Sequence, residues 1–182
     1  MKNLVHILLV AVLFSCSPHE RDHHTHYNIQ AALDPGTNLF SANLQMVLVA
    51  RQEYRDSICF NLNPDLNIHA LAAQELEHYL FRVSDSGRLV LYLDDPVSPG
   101  DELQISMSYS GHLPGNGTTL LDPSTGWYPV NENSHPCTYM MKLALPGSWK
   151  VSNPDAGTGE HGKWLIQSLE PKEAVRILVT PR

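Results

Sequence analysis

The amino-acid sequence predicts an all-β protein, built as an antiparallel or mixed β-sandwich or as a saddle-like assembly of sheets. Between residues 27 and 180, apolar residues recur at every second position in many short stretches. Turn-forming Gly, Pro, Asn and Asp separate those stretches. Outside the N-terminal leader, no amphipathic helix of ordinary length is predicted.

A long antiparallel hairpin is expected to open the β region. Apolar residues occupy every second position from 27 to 33 and again from 42 to 48. Between the two stretches, Asp34-Pro35-Gly36-Thr37-Asn38 has the chemistry of a turn, since proline presets φ and glycine or asparagine tolerates positive φ. The second strand is predicted to run from residue 39 to residue 50.

Shorter strands are predicted to follow. They are expected at residues 58–62, 68–71, 79–83, 89–93, 103–109, 139–145, 164–169 and 174–180. The segment around Glu75 and Glu77 could instead be helical. Residues 110–134, which are rich in Gly, Pro, Asn and Ser, form the longest irregular segment, and long loops on a β scaffold often carry binding functions.

The N-terminus has the features of a bacterial lipoprotein signal. Lys2 precedes a short apolar run, which ends in Leu13-Phe14-Ser15-Cys16, and these four residues resemble a lipobox. The sequence therefore predicts a signal peptide over residues 1–15, a lipidated Cys16, a His-rich tether over residues 16–26 and a β-domain over residues 27–182. The alternative is an ordinary signal peptide that ends in a cysteine.

This N-terminus predicts a protein of the bacterial cell envelope, anchored by lipid to the outer membrane or on the periplasmic face. Two or three acyl chains hold a protein on a membrane far more firmly than one chain does. The net charge of −7 and the lack of a Lys/Arg cluster argue against a nucleic-acid partner.

Two further cysteines, Cys59 and Cys137, lie in or beside predicted strands. In an oxidising compartment they could form a disulfide, provided that their Cα atoms come within about 7 Å of each other. The alternative is a pair of small, buried, unpaired residues.

An aromatic pair, Trp127 and Tyr128, lies in the irregular segment. Together with Trp149 it could form an aromatic platform in a binding loop. The alternative, which such aromatic residues more often adopt, is that Trp127-Tyr128-Pro129 packs the loop onto the sheet.

Four segments resemble, in order, the N-terminal β-domain of the M1 (gluzincin) metallo-aminopeptidases. They are the opening hairpin, the strand and turn Phe60-Asn61-Leu62-Asn63-Pro64, the strand at 103–111 with alternating Leu103, Ile105, Met107 and Tyr109, and Gly126-Trp127-Tyr128-Pro129 with the strand at 139–149. The resemblance spans nearly all of residues 27–182. It implies a saddle-shaped domain that packs on a catalytic domain and helps to wall the substrate pocket.

The catalytic domain of that family, with its Gly-x-Met-Glu-Asn loop and its zinc-binding helix, would follow this β-domain. The sequence ends at Arg182, before either of them. The resemblance therefore implies a protein that is not an enzyme, with a protein partner on the face that the family packs against its catalytic domain. A remnant of an aminopeptidase, or one separately encoded half of it, is the alternative.

The tether contains one literal His-Glu-x-x-His, from His19 to His23. In zinc peptidases such histidines bind the metal from one helix face, but this segment has no apolar face to hold a helix on a domain. The position of the family's third ligand would fall at Ala42, within a strand. We therefore expect no catalytic residue and no cofactor. The cluster His19, His23, His24 and His26 could still bind zinc or another divalent metal, which would make the protein a metal-handling lipoprotein.

Overall fold

The computed structural model describes residues 24–74, 76–82, 87–115, 119–133, 136–152 and 159–182. Within these ranges the chain forms β-strands joined by turns, one 3₁₀ turn and no α-helix. The predicted all-β class is confirmed. No helix in the described ranges could cross a membrane.

The strands are numbered in chain order. They are β1 (Thr25–Asp34), β2 (Leu39–Val49), β3 (Ser57–Asn61), β4 (Leu66–Ala73), β5 (Leu76–Arg82), β6 (Arg88–Leu93), β7 (Glu102–His112), β8 (Thr119–Leu121), β9 (Val130–Asn131), β10 (Cys137–Ala144), β11 (Trp149–Val151), β12 (Lys163–Lys172) and β13 (Ile177–Pro181). The 3₁₀ turn, Pro123–Thr125, lies between β8 and β9.

The largest sheet has six strands in the order β12-β10-β1-β2-β7-β4. All neighbours are antiparallel except β1 and β10, which run parallel, so the sheet is mixed. The predicted opening hairpin is its centre, with Tyr27 opposite Met46 and Asp34 opposite Leu39. The Asp34 carboxylate closes the turn by accepting hydrogen bonds from the Gly36 amide at 2.9 Å and from the Thr37 hydroxyl at 3.0 Å.

Two smaller sheets complete the domain, in the orders β5-β6-β3-β9 and β11-β13-β8. Glu77, in the segment for which a helix was an alternative, lies on strand β5, which pairs with β6 while Leu76 and Phe81 pack against the core. Glu75 lies outside the described residues. The prediction of an irregular segment over residues 110–134 is wrong in part. β7 extends to His112, and the short strands β8 and β9 pair with β13 and β3.

One hydrophobic core joins the inner faces of all three sheets. The alternation predicted from sequence is what fills it, since side chains at every second position of a strand point to the same face. The largest fully buried side chains are Trp127, Tyr109, Tyr128, Tyr139, Phe40, Phe60, Ile29, Leu44, Met46, Ile58, Leu62 and Leu66.

Candidate functional site

The outward face of the six-stranded sheet carries three rows of six residues, each row crossing all six strands. The central row is Leu165, Lys142, Gln30, Asn43, Ser108 and Ala70. One flanking row is Gln167, Met140, Asn28, Gln45, Ser106 and Ala72. The other flanking row is Lys163, Ala144, Ala32, Ser41, Ser110 and Asn67. All of these residues are exposed or half-buried.

The side chains in these rows are mostly amides, hydroxyls and alanines. Exposed positions of soluble proteins are more often Lys, Glu, Asp or Arg. None of the eighteen described residues in the rows is a carboxylate, although the chain contains 19 Asp and Glu residues. Lys142 and Lys163 are the two formally charged residues among them. The face therefore presents neutral hydrogen-bonding groups and two cations.

A cleft of about 1060 Å³ lies on this face and is lined from all six strands. At the β4 edge, the imidazole Nε2 of His69 lies 2.7 Å from the Ser110 hydroxyl oxygen. At the β12 edge, the cleft is bounded by the turn that leads from Glu160 into β12 and by Trp164. That turn requires positive φ at both central residues, His161 (52°) and Gly162 (78°), as in a two-residue hairpin of type I′.

The cleft can bind an elongated polar molecule. Six strands at the usual spacing make the face about 24 Å wide from β12 to β4. Amide side chains both donate and accept hydrogen bonds, as do hydroxyls, whereas Leu165 supplies an apolar end wall. This arrangement suits recognition by many weak contacts.

The structure does not support Trp127 and Tyr128 as an exposed binding platform. Trp127 is 0% exposed and Tyr128 is 2% exposed. Their rings lie 4.7 Å apart, and the Tyr128 ring meets the Tyr27 ring edge-on at 5.2 Å. The second of the two alternatives is the one observed: the aromatic pair packs the loop onto the sheet.

Three tyrosine hydroxyls hold this loop in place. Tyr109 donates to the Trp127 carbonyl at 3.1 Å, and Tyr27 donates to the Pro129 carbonyl at 3.1 Å. The Tyr128 hydroxyl accepts from the Val175 amide at 3.2 Å. Burial raises the pKa of all three hydroxyls, because removal from water disfavours the phenolate.

The turn before Trp127 begins at Asp122, which caps it. The Asp122 carboxylate accepts a hydrogen bond from the Ser124 amide at 2.9 Å and pairs with the Arg176 guanidinium at 3.0 Å. The hydrogen bond from Ser124 lowers the pKa of Asp122, and the charge of Arg176 adds to this effect. The loop is thus held at both ends by polar contacts.

The two cysteines do not form the disulfide that the sequence allowed; both are free thiols. Cys59 lies on β3 between the core-facing Ile58 and Phe60, so its side chain points away from the core, where Arg88 donates to its sulfur at 3.3 Å. Cys137 points into the core from β10, and burial raises its pKa to about 11. Side chains that face opposite ways on different sheets cannot meet.

Cys16, His19 and His23 lie outside the described residues, so their predicted roles stay predictions. His24 and His26 belong to the described part of the chain, and the His26 Nδ1 lies 2.8 Å from the Thr138 hydroxyl. In that part, no three His, Cys, Asp or Glu side chains converge as metal ligands would.

The sequence predicted the strands that form the cleft but not the cleft itself. The cleft uses one polar position from each of four predicted strands, namely Gln30, Asn43, Ser108 and Lys142. The one sequence feature that could have indicated the cleft is that Gln30, Asn43 and Ser108 are uncharged although they face solvent. This feature does not show that the four strands lie side by side.

The fold is similar to that of solved M1 zinc metallopeptidases. The enzyme from Deinococcus radiodurans matches with a TM-score of 0.69 at 17% identity over 86% of this chain and 41% of its own. A mutant of that enzyme bound to a Tyr-Ser-Ala substrate matches at 0.68 and 18%, and a two-domain M1 zinc metallopeptidase bound to L-arginine at 0.67 and 19%, each over the same shares of the two chains. No family model and no curated protein matches this chain.

These matches define the class of the domain. It is a three-sheet β-domain with the fold of the M1 N-terminal β-domain, so the resemblance seen in the sequence is confirmed as a likeness of fold. The chain spans about two fifths (41%) of the length of the metallopeptidase it matches.

Proposed function

We propose that this protein is a non-catalytic binding or accessory module of the bacterial cell envelope, held on the membrane by a lipid on Cys16. The observation that carries the proposal is the cleft on the outward face of the six-stranded sheet. Ligands bind proteins in concave sites, where placed polar groups fix their orientation and give specificity. The anchor would keep this site at the membrane surface, with residues 17–24 as the spacer, since β1 takes up the last two residues of the predicted tether.

The polar contacts of the cleft support binding better than they support chemistry. Ser110 is already hydrogen-bonded to His69 at the sheet edge, on a rigid scaffold of paired strands. Side chains held on strands are positioned more firmly than those on loops, so their amides and hydroxyls are organised before a ligand arrives. Such preorganisation lowers the entropic cost of binding.

The test is to compare oxidation of the protein by hydroxyl radicals in its native membranes and after purification. If the cleft is occupied in the membrane, His69 is protected there and becomes reactive in the purified protein. Tyr79 and His78, exposed on β5 outside the cleft, are the internal control and should react equally in both samples. Equal oxidation of His69 in the two samples would contradict the proposal.

The non-catalytic part of the proposal has its own assay. We expect the purified protein, supplied with zinc, to release no amine from a panel of amino-acid anilides. His19 and His23 provide two ligands on a tether, whereas a catalytic zinc site uses three protein ligands and a carboxylate that activates water. Turnover that disappears in both His19→Ala and Glu20→Ala would overturn this expectation.

A second function, favoured by the partial match to the M1 metallopeptidases, is the β-half of a peptidase whose catalytic half is a separate chain. The exposed apolar residues Tyr79 and Leu80 on the edge strand β5 offer a contact surface for it. This function requires a co-purifying polypeptide with His-Glu-x-x-His and a distal glutamate. It also requires that Leu80→Asp releases that polypeptide, whereas Lys150→Asp, on the exposed face of β11, does not.

A further inference from the structure

We propose that the cleft of the six-stranded sheet binds an acidic oligosaccharide, with Lys142 and Lys163 as the cations that select its carboxylates. This inference rests on the proposed binding function and names the ligand class. Its four supports are the charge of the face, the spacing of the two lysines, the hydrogen-bonding groups around them and the position of the cleft relative to the sheet edges.

Charge favours an anionic ligand. The protein carries a net charge of −7, yet the three rows on this face contain two lysines and no carboxylate among their described residues. Glu160, in the turn at the β12 end, is the one carboxylate among the described residues that line the cleft. The cleft is therefore a cationic region on an anionic protein, and complementary potentials favour encounter with anions over cations.

The two lysines are close together. Lys142 lies opposite Leu165, and Lys163 precedes Leu165 by two residues on the same face of β12. Diagonal neighbours of this kind lie about 7–8 Å apart. Within the described residues, neither ammonium forms an ion pair with a carboxylate. Two like charges at this spacing repel each other, and an anion bound between them relieves that repulsion.

The remaining groups match a sugar. Gln30, Asn43, Ser41 and Ser108 present amides and hydroxyls side by side along the rows, and each can donate and accept hydrogen bonds as sugar hydroxyls do. Leu165, which is exposed on the outward face, gives the end wall an apolar surface for the C–H face of a sugar ring. Alanines at 32, 70 and 144 leave room above the sheet.

An acidic peptide is less well suited to this cleft. Extended peptides bind β-sheets chiefly by pairing with an open edge strand, with pockets for alternate side chains. The cleft lies on the face of the sheet, where the backbone groups of β10, β1, β2 and β7 are already paired with their neighbours. A peptide here could use only side-chain contacts and would leave its own backbone groups without a paired strand.

The experiment measures binding of the full mature protein, in detergent, to a hexamer of galacturonic acid, with cellohexaose and hexaglutamate as neutral-sugar and acidic-peptide probes. Titration calorimetry gives the affinity. The variants are Lys142→Ala and Asn43→Ala. Lys150→Ala and Gln52→Ala, both exposed outside the cleft, are the matched controls.

We expect the uronate hexamer to bind at least tenfold more tightly than either other probe, with an affinity that falls as salt is raised. Lys142→Ala should weaken it about tenfold and reduce the salt dependence, Asn43→Ala should weaken it at unchanged salt dependence, and both controls should leave it unchanged. Equal binding of hexaglutamate, equal binding of cellohexaose, or no binding of the uronate would each overturn the inference. If the cleft is protected in native membranes while the uronate does not bind, the ligand class is wrong and the binding function stands.

Discussion

At the scale of single residues, Gly111 lies where β7 meets the start of β4. It pairs with Leu66 on one side and with Phe40 on the other. A Cβ atom at this position would lie 2.0 Å from the Asp65 carbonyl oxygen, which belongs to the backbone and cannot rotate away. The absence of a side chain is therefore what allows the chain to enter β4 at the edge of the six-stranded sheet.

Gly111→Ala should destabilise the protein by about 1–3 kcal/mol, the usual cost of forcing extra volume into a packed site. Gly147→Ala is the matched control, since no atom lies within 4 Å of its added Cβ, and it should change stability by less than about 0.5 kcal/mol. Urea denaturation of the two variants gives both values. Equal midpoints for Gly111→Ala and the wild type would show that the Asp65 backbone moves aside at no cost.

The two free thiols should differ in reactivity. Because the pKa of Cys137 is raised to about 11, only about one thiol in a thousand is ionised there at pH 8, and the thiolate is the reactive form. Iodoacetamide at pH 8 should therefore modify the half-buried Cys59 in the native protein and reach Cys137 only after denaturation.

Peptide mass mapping of the alkylated protein checks this expectation, with Cys59→Ser as the control that should remain unlabelled at both positions in the native state. Labelling of Cys137 at the rate of Cys59 would contradict the burial of its thiol. A crosslinked Cys59–Cys137 peptide in a non-reduced digest would show that the two cysteines do form a disulfide.

At the scale of elements, the segment from the 3₁₀ turn to β9 is held against the sheets by side chains from distant strands. Tyr27 reaches it from β1 and Tyr109 from β7, and each donates to a backbone carbonyl of the segment. A buried carbonyl without a partner is costly, so the two tyrosines stabilise a stretch that has few backbone partners of its own. β1 and β7 thus hold this segment in place through their tyrosine side chains, although the segment is not part of their sheet.

Tyr109→Phe should lower the stability at pH 7 by about 1–2 kcal/mol, because the Trp127 carbonyl loses its donor. At alkaline pH, by contrast, the variant should lose less stability with rising pH than the wild type does. Burial raises the pKa of Tyr109 above its unfolded value of about 10, so the unfolded chain loses this proton first and stability falls as the pH rises above about 10.

Removing this hydroxyl should therefore make the alkaline loss of stability shallower, by up to about 1.4 kcal/mol per pH unit. Urea denaturation between pH 8 and pH 11 measures the slope. Tyr79→Phe, at an exposed position on β5, is the control and should leave the slope unchanged. A slope for Tyr109→Phe as steep as that of the wild type would mean that folding does not raise the pKa of this tyrosine.

At the scale of the whole molecule, one core joins three sheets, and the outward face of the largest sheet is left for binding. β1 begins at Thr25, directly after the proposed tether, and lies near the middle of that sheet. The proposed anchor would therefore enter the domain through the sheet that carries the cleft. Loss of the anchor would therefore remove the cleft from the membrane.

Cys16→Ala should abolish lipidation and release the protein from the membrane fraction, because the thiol is the site of acylation and no other anchor is proposed. Fractionation and metabolic labelling with a fatty acid measure the two effects. Ser17→Ala is the control and should be retained. Recovery of Cys16→Ala in the membrane at the level of the wild type would contradict the anchor.

The period-two alternation of apolar residues determined most of the strands, because it depends only on the direction in which successive side chains point from an extended backbone. Tyr27, Ile29 and Leu33 are buried as that pattern requires, and the turn at Asp34 closes the hairpin it predicts. The segment of β5 was ambiguous because short apolar runs do not distinguish helix from strand, and its pairing with β6 decided the matter.

The tertiary structure alone decided which strands are neighbours. The parallel pairing of β1 with β10 joins residues more than 100 positions apart, and no local pattern encodes a contact of that range. That pairing places Gln30 beside Lys142, and so creates the cleft from polar positions that read in the sequence as ordinary solvent-facing residues. The tertiary structure also decided that Trp127 and Tyr128 are buried, since the hydroxyls that hold their loop belong to Tyr27 on β1 and Tyr109 on β7.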